Sequence, residues 1–131
     1  MDLHPPQINL ALAWLWILIG FLSGFILGLY FHREEWLGGY ASLKRRMYRL
    51  AHISIFGLAI INLLFYFTVT SLNLAGGRIE VASWGFIIGA LAMPACCLFM
   101  AHNLKLRALF PLPVASLSLA GFLTLGEVLG L

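Results

Sequence analysis

The chain has 131 residues, of which 62% are hydrophobic and 10% charged, where a soluble domain carries about 25% charged residues. At a mean hydropathy of +0.96 it cannot bury its apolar surface in a water-soluble fold. Its net charge of +3 comes from bases gathered beside apolar runs, without a reading element, which excludes nucleic acid as a partner.

An apolar run of about 18 or more residues reads as a transmembrane helix, because ~20 residues cross a ~30 Å hydrocarbon core. Four such runs occur. They predict an all-α membrane protein, with four transmembrane helices in a compact bundle at about 10–31, 43–72, 81–102 and 109–131. The whole chain, 1–131, is then a single integral membrane domain, and no room is left for a soluble catalytic one.

The first run, Leu10–Phe31, has no charged residue. Met1–Asn9 offers Asp2 and His4 but no basic n-region, and no A-x-A site follows, so the run is expected to stay in the protein. Within it, "GFLSGFILG" repeats glycine every four residues at Gly20, Gly24 and Gly28, beside Ser23. Such spacing lets another helix approach closely. It predicts a packing face, inside the bundle or between subunits. His32 ends the run.

The following loop is basic: Arg33, Lys44, Arg45, Arg46 and Arg49. Ser42 has the chemistry of an N-cap, so the second helix is expected to start near Leu43. The loop's bases read as orientation anchors on an anionic leaflet, each worth about 1 kcal/mol. The second run carries His52 at its start and Asn62 near its middle. Asn62 is costly to expose to lipid and is expected to face protein and bond across helices.

The third run repeats the glycine spacing at Gly85 and Gly89 and then reads "MPACCLFM". Met93, Cys96, Cys97 and Met100 lie at i, i+3, i+4 and i+7, on one helix face. Thioether and thiolate are soft donors suited to Cu(I), though the same residues also fill apolar interiors. Neither cysteine belongs to a C-x-x-C motif, which argues against a thiol oxidase. Pro94 removes the bond to the Ala90 carbonyl and should kink the helix. In the fourth run Glu127 is expected at the interface.

Seven of the eight basic residues flank the loops after runs one and three, and only Arg78 lies at the other end. Cytoplasmic loops carry excess Lys and Arg, so both termini are expected outside, in a bacterial inner membrane. Trp14, Trp16 and Trp84 then fall near the outer interface, and Tyr30, Trp36, Tyr40 and Tyr48 near the inner one.

In this topology His32, His52 and His102 lie near one membrane face. Two axial histidines can hold haem b, with Arg45 or Arg49 on its propionates, and three could hold a metal. Helix ends also tolerate histidine because water is in reach. A faint echo between "GFLSGFILGLYFH" and "GFIIGALAMPACCLFMAH" is compatible with duplicated hairpins. A small four-helix multidrug exporter would need a membrane-embedded glutamate in its first helix, and the first run has no acidic residue.

With no nucleophile–base pair, phosphate loop or paired carboxylates, an enzyme acting alone is not expected. The reading favoured by the residues is a non-catalytic accessory or assembly subunit that docks on other membrane subunits, or on itself, through the glycine face. The alternative is a haem b or metal-binding electron-transfer subunit using His52 and His102. A transporter built on Asn62 and the Pro94 kink comes third.

Overall fold

A computed structural model describes residues 4–131; Asp2 lies outside them. Four long helices follow one another: α1 (Pro5–Tyr30), α2 (Leu43–Ser71), α3 (Gly77–His102) and α4 (Pro111–Leu129). Short 3₁₀ turns at Trp36–Gly38 and Leu104–Leu109 precede α2 and α4. All four helices are long and apolar enough to cross a membrane, so the chain is a multi-pass membrane protein.

Two helices start earlier than their apolar runs. α1 begins at Pro5 rather than near residue 10, because Pro5 and Pro6 occupy first-turn positions where a missing N–H costs nothing. The His4 backbone N–H donates to Gln7 Oε1 at 3.3 Å. α3 begins at Gly77 and takes Arg78 and Glu80 into its first turn, where the helix dipole favours the carboxylate. The start of α2 is as expected. Ser42 Oγ accepts the Arg45 backbone N–H at 3.1 Å and donates to the Leu37 carbonyl at 2.6 Å.

Packing follows chain order. α1 lies against α2, α2 against α3, and α3 against α4, with a smaller contact between α1 and α3. The first three helices therefore cluster, and α4 lies along the far side of α3. Phe65 and Val69 of α2, Ile79, Ala82 and Phe86 of α3, and Ala120 of α4 make the apolar core. It sits toward the end of the bundle where α3 begins. There the rings of Phe65 and Phe86 are 5.1 Å apart.

The glycines divide between two seams. A Cβ at Gly20 would stand 2.7 Å from the Phe56 ring, and one at Gly24 would stand 2.9 Å from His52 Cε1. These two notches admit side chains of α2, not the close backbone expected from the spacing. Gly85 faces α4, where a Cβ would meet Ala120 Cβ at 2.9 Å and the Ser116 carbonyl oxygen at 3.1 Å. Leu117 fills the notch at Gly89. Gly28 departs from the pattern: nothing lies within 4 Å of its Cβ position.

Candidate functional site

The polar side chains inside the bundle gather at two levels. The first is a three-helix junction toward the start of α1. Asn9 Nδ2 donates to Asn62 Oδ1 at 2.7 Å and to the Ser83 carbonyl at 3.2 Å. The Ser83 hydroxyl donates to Asn9 Oδ1, and Asn62 Nδ2 returns to the Leu58 carbonyl at 2.8 Å. All three side chains are fully buried. Asn62 bonds across helices as its position demanded. Neither its partner Asn9 nor Ser83, which bonds Asn9 in turn, is singled out by the sequence: Asn9 lies just outside the apolar run, and serine is common in membrane helices.

The second level is the basic end, which carries both histidine candidates. His52 turns onto α1. Its Nδ1 lies 2.8 Å from Ser23 Oγ, and Ser23 donates its own proton to the Gly20 carbonyl at 3.0 Å. The His52 ring packs edge-on against Phe56 at 5.4 Å over the notch left by Gly24. His102 turns instead onto α2, where its Nε2 lies 2.9 Å from the Tyr48 hydroxyl.

The two imidazoles thus serve separate helix contacts and do not address one iron between them. The cavity beside His52, walled by Ser23, Leu27, Tyr48 and Leu98 among others, is about 210 Å³, below the roughly 300–1,000 Å³ of ligand pockets. Nothing in this geometry supports a haem.

Arg45 also departs from its expected role. It is only 1% exposed, so it neither anchors to headgroups nor reaches a propionate. Its guanidinium donates to the Arg33 carbonyl at 2.8 Å and to the Phe31 carbonyl. Its planar head lies 4.1 Å from the Tyr40 ring centroid and 5.2 and 5.4 Å from those of Phe31 and Trp36. The cation thus caps the end of α1 from within an aromatic box, its charge offset by carbonyls and ring faces. Tyr40 adds a bond to the His32 carbonyl at 3.0 Å. Arg49, the other propionate candidate, is exposed.

The soft donors separate as well. Met93, Cys97 and Met100 line one groove between α2 and α3, joined there by Met47 of α2. Cys96 is buried but lines no part of it, and His32 is exposed on the α1–α2 loop. The four-residue face expected from i, i+3, i+4, i+7 spacing is therefore split by the packing of α2. Among the described residues no three His, Cys, Asp or Glu side chains meet as a metal-holding group.

Two further contacts complete the interior. The Trp16 indole N–H donates to the Ala90 carbonyl at 3.0 Å, so Trp16 sits between helices and not in an outer aromatic belt. Ser116 Oγ donates to the Gly85 carbonyl at 2.8 Å, tying α4 to α3. At the end opposite the bases, Arg78 meets Glu127 at 3.5 Å and the Leu131 carbonyl at 2.8 Å. Glu127 is thus paired at the bundle's edge.

Comparison with protein-family models, characterised proteins and solved structures finds no match to this chain.

Proposed function

We propose that this protein is a non-catalytic integral membrane subunit that holds or assembles a larger membrane complex. The observation that carries the reading is the complete use of interior polarity. Among the described residues, every buried side-chain nitrogen and oxygen already has a partner within the chain. Asn9, Asn62, Ser83 and Arg45 join helix to helix or helix to loop, and the half-buried His52 bonds α1. A catalytic or coupling site needs polar groups left free to meet a substrate.

The docking surface in this proposal is the outward face of α1, not the glycine notches, which Phe56 and His52 fill. Trp14, Leu18, Phe21, Phe25 and Gly28 recur at alternating steps of four and three, and the four large ones are exposed, Phe25 by 66%. That spacing is the seam along which a second helix packs. Open space at Gly28 supplies the small residue such a seam uses for close approach. The seven-to-one split of basic residues supports placing the basic end in the cytoplasm of a bacterial cell, with the membrane being the inner one.

The test is extraction of the tagged protein from its native membrane in a mild detergent, followed by mass determination by light scattering. The proposal expects a protein mass well above that of the 14.5 kDa chain and no visible absorption band. A lone chain, or a Soret band in the purified protein, would overturn it.

A further inference from the structure

We propose that the apolar groove at the basic end holds one acyl chain of an anionic phospholipid, with its phosphate met by Lys44 and Arg46. The groove has a volume of about 440 Å³ and is lined by α2, by α3 and by Phe110 at the head of α4. Its floor is Met93, Cys97 and Met100; its wall on α2 runs from Met47 to Ile61.

Ser54 is the one hydroxyl among the lining residues, and it spends its proton on the Ala51 carbonyl at 2.8 Å. Apart from the weakly donating Cys97 thiol, the walls therefore offer no free donor, and an occupant with polar atoms of its own would leave them poorly paired. A methylene chain has none. Flexible methionine side chains also adapt to a chain without fixed shape.

Length points the same way. From Leu50 to Ile61, α2 rises about 17 Å at 1.5 Å per residue, close to the ~15 Å of half a bilayer core, and Met47 extends the wall one turn further toward the headgroups. The groove thus runs the depth of a single leaflet, the one at the basic end.

Charge selects the headgroup. Arg46 adjoins Met47 and lies one turn before Leu50 on the groove's side of α2; Lys44 flanks the other side. Arg46 is exposed and Lys44 half-buried. Among the described residues the only ion pair is Arg78–Glu127, at the opposite end, so neither of these two cations is held in an ion pair within the chain. A phosphate at the membrane surface would stand level with them, one turn beyond the groove's mouth.

The experiment uses the delipidated protein in mild detergent, supplied with phosphatidylglycerol or with phosphatidylcholine of the same acyl chains. Native mass spectrometry then counts lipids retained per chain. One phosphatidylglycerol should be held several-fold more strongly than phosphatidylcholine. Lys44→Gln with Arg46→Gln should lower its retention about fivefold for each charge removed. Gly57→Phe should lower retention of the first lipid of either kind, because Gly57 lines the groove and nothing lies within 4 Å of its Cβ position. Equal retention of the two lipids overturns the proposal. So does a Gly57→Phe protein that keeps its helical circular dichroism and still holds phosphatidylglycerol, since the lipid would then sit outside the groove. A groove that takes neither lipid likewise overturns the proposal. Should Gly57→Phe unfold the bundle, the charge pair decides alone, as neither side chain is buried.

Discussion

The Trp16 indole N–H lies 3.0 Å from the Ala90 carbonyl oxygen, and Ala90 is the residue four before Pro94. In an unbroken helix that carbonyl accepts the N–H four residues on. Pro94 has none to give. A side chain of α1 thus repairs, across the α1–α3 contact, the break that proline makes inside α3.

Trp16→Phe should therefore cost about 1 kcal/mol, the scale of one bond within a membrane bundle. The cost should largely vanish in a Pro94→Ala background, where residue 94 supplies the missing N–H. A double-mutant cycle read by thermal melting in detergent checks it. Additive effects would show that Trp16 contributes by packing alone.

The Asn9–Asn62–Ser83 junction makes a coupled prediction. Asn62→Leu strips the buried Asn9 amide of its 2.7 Å partner and should destabilise the bundle by about 1–3 kcal/mol. Asn9→Leu should cost a similar amount. The pair together should cost clearly less than the two singly, because no orphaned amide then remains. Chemical unfolding monitored by circular dichroism measures all three.

Arg45 should be irreplaceable where its neighbours are not. Lysine keeps the charge but offers a point donor in place of the planar fork that bonds the Phe31 and Arg33 carbonyls. Arg45→Lys should cost about 1.5–3 kcal/mol and open the loop between α1 and α2 to protease. Lys44→Gln should leave its cleavage rate unchanged. Limited proteolysis with mapping of the cut sites compares the two.

Among the glycines, Gly85→Leu should be the most damaging. Its Cβ would press on backbone, the Ser116 carbonyl oxygen at 3.1 Å, as well as on Ala120, and backbone cannot swing aside. Gly28→Leu should leave the isolated bundle's melting unchanged, its Cβ position being open. In the intact complex, however, the same change should weaken association. A Gly28→Leu chain that melts early by itself contradicts this division.

Membrane class, helix number and the Ser42 start of α2 follow from composition, run length and capping chemistry, all local properties. The partners of the polar residues do not. Asn62 was recognisable as a buried amide because lipid cannot hydrate it, but its partner Asn9 stood before the apolar run, and only the early proline start of α1 brings it inside. Arg45 is one basic residue in a row of three; that it turns inward follows from its helix face and from aromatics up to fourteen residues away. The spacing at Gly24 predicts close approach of another backbone, whereas what fills the space is the His52 imidazole of α2. Met47 completes the sulfur-lined groove from α2, a juxtaposition that only the pairing of α2 with α3 creates.

The most direct test of a subunit that docks through α1 is photo-crosslinking in the native membrane, with a photoreactive residue placed in turn at Leu18 and Phe25. Both side chains are exposed on the outward face, and both should give one protein adduct of the same partner mass. If neither position yields a protein adduct and only lipid is captured, α1 faces the bilayer alone and the docking role is wrong.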